Sequence, residues 1–193
     1  SRNMMKKHLT FFEQALYADM FRGEDGTGVA FISNNFEVTH MKKAIGAKDF
    51  LDLTPYHHMM HQKGIFSSFI MGHNRWATRG GVSHQTSHPF QYGDILMAHN
   101  GSLRSQWRLP ESDRFKVDSE NIAHSLSTIG VDKTVPLLDG SYSLVWADTD
   151  NQTVNFIRNK ERPMYFGLTK DKETLQRLIR SIHLIYQKRL RES

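Results

Sequence analysis

Short apolar segments recur along this chain, and each is cut off by a turn signal before it reaches helical length. Residues 29–32, 65–72, 94–99, 141–147 and 153–158 read as strands. Asn34-Asn35 marks a turn from which residues 36–40 return, and Asp148-Thr-Asp-Asn151 joins the last two strands. Strands joined by hairpins build antiparallel sheets, whose apolar faces must be covered by helices or by a second sheet. Leu9, Phe12, Ala15, Leu16 and Met20 keep near three-and-four spacing and predict a helix over 8–21. Ile122, Leu126 and Ile129 do the same for 118–129, as do Leu175, Leu178, Ile179, Ile182, Ile185 and Tyr186 for 175–190. Residues 165–167 predict a further edge strand, and 48–63 are ambiguous and rich in histidine. The pattern is α+β, with sheets covered by helices.

A length of 193 residues suits one domain, and no repeat or Pro/Ser linker divides it. No apolar run approaches the ~18–20 residues of a membrane span, and no apolar run follows the first basic residues as a secretory signal requires. A cytoplasmic protein without membrane contact is expected. The net charge of +5 invites a nucleic-acid partner. Residues 170–193 carry most of that charge, with seven basic and three acidic side chains, so a solvated basic helix face is the expected reading of the tail. Cysteine is absent, which excludes disulfides, cysteine-ligated metals and thiol catalysis by the residues given. His57, His58 and His61 include an i, i+4 pair, but no further ligand stands at matching spacing. A solvated segment is expected there, with no metal and no cofactor.

Four polar clusters remain: Arg22-Gly-Glu-Asp-Gly-Thr-Gly28, Gly72-His-Asn-Arg-Trp-Ala-Thr-Arg-Gly80, the pair His88-Pro89 and His99-Asn-Gly101, and Asp118-Ser-Glu120. The first follows a helix and precedes a strand, the reverse of a dinucleotide-binding turn. Taken singly, each has an ordinary structural reading. Asn100-Gly101 suits a hairpin turn, Asp118-Ser119 a helix N-cap, and His88 and His99 could be core histidines. Taken together and in this order, they resemble the motifs of the class II, N-terminal-nucleophile glutamine amidotransferases. Gly140-Ser-Tyr-Ser-Leu144, Arg158 and Pro163 extend the resemblance over about residues 10–167. The short chain is reminiscent of stand-alone phage-encoded members.

The resemblance implies a four-layer α/β/β/α sandwich over residues 1–169; after it the family continues through another strand, whereas the residues here predict a basic amphipathic helix over 170–193. It also implies hydrolysis of the glutamine side-chain amide to glutamate and ammonia, with ammonia passed to an acceptor enzyme or subunit. L-Glutamine must be held at both ends. Arg75 can fork onto its α-carboxylate and Asp118 can take its α-ammonium, the roles the resemblance assigns them. Thr78 and His88 match further substrate-pocket positions, and Trp76 is expected to pack beneath the site. The Asn100 side-chain amide and the Gly101 N–H match the oxyanion donors. The family's nucleophile is a terminal cysteine followed by glycine and an apolar strand, whereas this sequence begins Ser1-Arg2-Asn3. Three explanations follow: the nucleophile strand lies outside these residues, Ser1 substitutes for cysteine, or the fold is an inactive binding module that engages a protein or nucleic acid.

Overall fold

The computed structural model describes residues 4–77 and 81–166, together with the backbone of 182–184. The chain opens with α1 (Lys6–Asp19). β1 (Gly26–Ser33) and β2 (Val38–Lys43) then form the expected hairpin around Asn34-Asn35. The ambiguous histidine-rich stretch resolves into α2 (Ala47–Leu51) and α3 (Thr54–Lys63), with Pro55 in the first turn of α3. His57, His58 and His61 are all exposed on α3. β3 (Ser67–Arg75) pairs antiparallel with the other edge of β1, giving a three-stranded sheet ordered β2-β1-β3.

The second sheet is ordered β4-β5-β6-β7-β8. Its strands are β4 (Phe90–Tyr92), β5 (Ile95–Leu103), β6 (Gly140–Asp148), β7 (Thr153–Arg158) and β8 (Ile182–Leu184). α4 (Asp118–Ile129) and the short α5 (Val131–Thr134) lie between β5 and β6 in the chain.

Strand alternation sorts the apolar side chains into three buried layers. On β1, Val29 and Phe31 pack with Leu9 and Leu16 of α1 and with Phe50 and Tyr56 from α2 and α3. The alternate residues Ala30 and Ile32 face the second sheet and meet Leu96, Ala98 and Ala147. On β5 the other face carries Ile95 and Met97, which pack with Trp146 and with Ile122 and Leu126 of α4. Each sheet is therefore apolar on both faces, and the order of layers is helix, sheet, sheet, helix. This is the expected four-layer α/β/β/α architecture. Small residues between the sheets let the two layers approach closely.

The structure differs from the sequence expectation at three places. Asn100-Gly101 is not a turn. β5 runs straight through it, because β6 pairs with β5 over nine residues and this non-local ladder outweighs the local turn signal. Residues 165–166 do not form an edge strand. β8 occupies the free edge of β7, and Tyr165 is 87% exposed. Within the helix expected over 175–190, residues 182–184 are extended and pair in parallel with β7, whose edge groups gain partners that a helix would not supply. The rest of that expected helix, and Gly167, lie outside the described residues.

Gly28 sits where β1 passes directly beneath the cis His88–Pro89 peptide, and a Cβ there would overlap the His88 carbonyl. Gly46, before α2, would meet only ordinary van der Waals contact. Gly28→Ala is expected to destabilise the fold by about 1–3 kcal/mol. Gly46→Ala is expected to cost less than about 1 kcal/mol. Urea-unfolding midpoints measure the difference, and equal midpoints for the two variants would contradict the packing described.

Candidate active site

The polar clusters converge where the ends of β3 and β5 face one another. On β3 the alternation of side chains separates two tasks. Asn74 points toward α1, where its amide donates to the Leu16 carbonyl (2.7 Å) and accepts from the Thr27 hydroxyl (3.1 Å). His73 and Arg75, on the opposite face, point toward the second sheet. Asp25 fixes the chain beyond Arg75. Its N–H donates to the Arg75 carbonyl (3.0 Å), and its carboxylate accepts the Ala77 N–H (2.7 Å).

Arg75 is buried, with 5% of its surface exposed. Its guanidinium donates to the Gly81 carbonyl (2.7 Å), which also accepts the Thr86 hydroxyl (3.1 Å). Burial opposes the Arg75 charge, while the Asp25 and Asp118 carboxylates support it. Arg75 and Asp118 thus share one electrostatic neighbourhood. Trp76, expected beneath the site, is instead 67% exposed, because the chain leaves the sheet there. Thr78 and Ser1 lie outside the described residues.

Asp118 is the first residue of α4, and Val117 rather than Asp118 stands at the N-cap. One carboxylate oxygen accepts the Leu103 N–H (2.6 Å) and the other accepts the Ser119 N–H (2.8 Å). The Ser119 hydroxyl also lies 3.4 Å from the second oxygen, so the oxygen bonded to Leu103 is the one that keeps lone-pair capacity for another donor, and an anion at a helix N-terminus is favourable. Asp118 therefore ties the end of β5 to α4 and still offers negative charge to a cation.

The main chain of β5 carries a further feature. β4 pairs only with Ile95, Leu96 and Met97, so beyond Met97 one edge of β5 has no strand beside it among the described residues. On the other side, Gly101 stands opposite Tyr142. Tyr142 directs both its main-chain groups to Asn159, its N–H to the side-chain oxygen (3.3 Å) and its carbonyl to the N–H (3.0 Å). In an antiparallel ladder, such a residue gives nothing to the residue opposite. By this parity His99, Gly101 and Leu103 turn their main-chain groups to the open edge. The His99 carbonyl accepts from His73 Nε2 (3.1 Å) and the Leu103 N–H donates to Asp118. The Gly101 N–H stands between them, beside the exposed Asn100 side chain. Gly101 has φ +151°, and a Cβ there would overlap the Ser141 carbonyl, so only glycine fits.

An open cavity of about 260 Å³ lies beside the edge of β3 that has no strand partner among the described residues. Residues 69–73 form one wall, and the second sheet forms the other through Ala98, His99 and Asn100 of β5, Ser143 and Val145 of β6 and Phe156 of β7. Five consecutive residues of one strand line it, so the cavity faces the strand's edge rather than one of its faces. The cavity does not include Arg75, His88, Gly101 or Asp118; Asn100 joins it to their neighbourhood.

Three buried histidines stand behind these groups. His73 stacks on His88 with ring centroids 3.9 Å apart, and His99 Nδ1 shares a hydrogen bond with the Ser119 hydroxyl (2.9 Å). Burial lowers the pKa of all three, to about 4 for His73 and well below the ordinary value for His88. His73 and Asp25 were not singled out in the sequence as site residues. The signal for His73 is its i, i+2 spacing from Arg75, which puts both on one face of a strand.

The family model described as Glutamine amidotransferases class-II matches residues 8–127. The chain belongs to the class-II glutamine amidotransferases. Glutamine–fructose-6-phosphate aminotransferase (isomerizing) of Buchnera aphidicola is 29% identical over 168 residues, covering 77% of this chain and 26% of the relative. The enzyme of the same name from Aliivibrio fischeri is 31% identical over 163 residues, covering 76% of this chain and 26% of that protein. The chain thus spans about a quarter of the length of these curated relatives. The glutamine phosphoribosylpyrophosphate amidotransferase of B. subtilis, solved with ADP and GMP, superposes with a TM-score of 0.64 at 18% identity, over 88% of this chain and 39% of that one. These likenesses confirm the fold as the N-terminal-nucleophile α/β/β/α sandwich, and the chain is a glutamine amidotransferase domain. Among the described residues, no helix is long and apolar enough to cross a membrane.

The histidine trio makes stability depend on pH. Each binds its proton less readily in the folded chain than in the unfolded one, where the value is near 6.5. As pH falls below that value, the unfolded chain takes up protons first, so stability is full above it and declines toward about 4, where folded His73 also protonates. The His73 shift alone corresponds to a loss of roughly 3 kcal/mol across the window. The urea midpoint is expected to fall between pH 7 and pH 5, and an unchanged midpoint would contradict burial of the three rings in neutral form.

Proposed function

We propose that this domain hydrolyses the side-chain amide of L-glutamine to glutamate and ammonia. The observation that carries the proposal is the Gly101 N–H, without a ladder partner among the described residues and beside the exposed Asn100, which lines the cavity. Attack on an amide carbonyl places negative charge on its oxygen, and two preorganised donors are what that charge requires. Arg75 takes the α-carboxylate, with Thr78 and His88 completing that end of the pocket. Both His88 ring nitrogens are buried without a protein partner among the described residues, which supports a ligand contact. Asp118 takes the α-ammonium through its remaining lone pairs.

The chemistry needs a nucleophile, which we assign to a cysteine thiolate outside these 193 residues. The edge of β3, without a strand partner among the described residues and beside a cavity that Asn100 also lines, supports this by offering room for an extended segment. The thiolate adds to the amide carbon, and the amide nitrogen leaves as ammonia after gaining a proton. Water then hydrolyses the thioester, releasing glutamate and restoring the thiol. Ammonia passes to an acceptor enzyme or subunit. We place the protein in the cytoplasm, where such a thiol stays reduced.

The absence of cysteine favours a second reading, an inactive amidotransferase fold that binds through the same pocket or through its basic tail. Assay of the protein in its full encoded form for glutamate release separates the two. Under the first reading, Arg75→Ala and Asp118→Ala each abolish glutamine binding measured by calorimetry, and Asn100→Ala lowers turnover by about 10²–10³. Unchanged glutamine affinity in both clamp variants would contradict the substrate clamp.

A further inference from the structure

We propose that His73 is the positioning residue of the oxyanion site, holding the β5 peptide from which Asn100 and Gly101 project; this rests on the glutaminase function proposed above. The contact crosses from one sheet to the other. His73 belongs to β3, and it reaches the His99 carbonyl on β5, the peptide group immediately before Asn100.

A carbonyl can only accept, so the proton of the neutral ring sits on Nε2. Nδ1 is buried and has no protein partner among the described residues. Burial, with the Arg75 charge nearby, disfavours a second proton, and the bond to the His99 carbonyl holds the remaining proton on Nε2. The ring's platform is itself fixed, because the next residue, Asn74, is bonded to α1 through the Leu16 carbonyl.

The open edge of β5 is where such a hold matters. Among the described residues no strand lies beside this edge beyond Met97, and no ladder bond from them secures the His99 carbonyl there. Gly101 has no side chain to limit rotation of the adjoining peptides. Two side chains clamp the main chain around it: His73 at the His99 carbonyl and Asp118 at the Leu103 N–H. Asp118 is also proposed to bind substrate, so its removal would mix two effects. His73 lines the cavity and stacks on His88 but is not proposed to touch substrate, so comparing a variant that loses the donor with one that restores it isolates its bond to the His99 carbonyl.

The variants are His73→Leu, which keeps bulk and loses the donor, and His73→Gln, whose amide nitrogen reaches to about the position of Nε2. They are to be compared with wild type in the full-length protein, using L-glutamine. His73→Leu is expected to lower kcat by about 10–100-fold, as a displacement near 1 Å would, with KM for glutamine within about threefold. His73→Gln is expected to recover kcat to within about fivefold of wild type. A merely structural role would lower the melting temperature of both variants alike without this recovery. Undiminished kcat in His73→Leu, or equal impairment in both variants, would overturn the proposal. If His73→Leu does not fold, His73→Asn, whose amide is too short to reach, replaces it as the loss variant. If wild type itself releases no glutamate, the glutaminase function fails, and the contact is judged on its own by NMR. The Asn100 and Gly101 amide resonances are then expected to move in the loss variant and to stay in place in His73→Gln. Unmoved resonances in the loss variant would overturn the positioning role.

Discussion

The site depends on main-chain groups that the second sheet leaves unpaired. β6 bonds alternate residues of β5, and β4 stops at Met97, so the groups of His99, Gly101 and Leu103 face an open edge. A buried peptide group without a partner is costly. Here His73 and Asp118 take the carbonyl and the N–H on either side, and the Gly101 N–H between them is the donor proposed to meet the substrate. The two side chains come from different layers, one from the first sheet and one from the helix that covers the second. The apolar packing of all four layers is thus what brings them to the same strand edge.

The same arrangement explains why the site is rich in histidine. Ala30, Ala98 and Ala147 let the sheets lie close together, and the polar ends of β3 and β5 meet at the margin of that contact. In such surroundings a charged side chain is penalised unless a partner compensates it. His73, His88 and His99 meet this constraint by staying neutral. Arg75 meets it through the Gly81 carbonyl and the nearby Asp25 and Asp118 carboxylates. Donors fixed in place in this way need little reorganisation to meet developing negative charge.

Much of the fold was legible in the sequence where local signals and tertiary demands agree. α4 occupies 118–129 as predicted, since an acidic start, an apolar stripe and Gly130 all point the same way. The hairpin of β6 and β7 was equally clear from its turn. Errors arose where distant pairing decides. Asn100-Gly101 looks like a turn until nine residues of β6 are laid beside it, and residues 182–184 read as part of a helical stripe until the edge of β7 is available. The motif residues Arg75, Asn100, Gly101 and Asp118 stood out by type and order. His73 did not, because its role depends on a contact between two sheets that no spacing along the chain reveals.

In the proposed function, one glutamine-sized amino acid bridges Arg75, Asp118 and the Gly101 N–H. A crystal structure of the full-length protein with its product, L-glutamate, tests this most directly. The expected structure has the α-carboxylate on the Arg75 guanidinium, the α-ammonium on Asp118, and a γ-carboxylate oxygen within about 3 Å of the Gly101 N–H. Glutamate bound elsewhere, or a Gly101 N–H consumed by a protein acceptor in the occupied site, would contradict it.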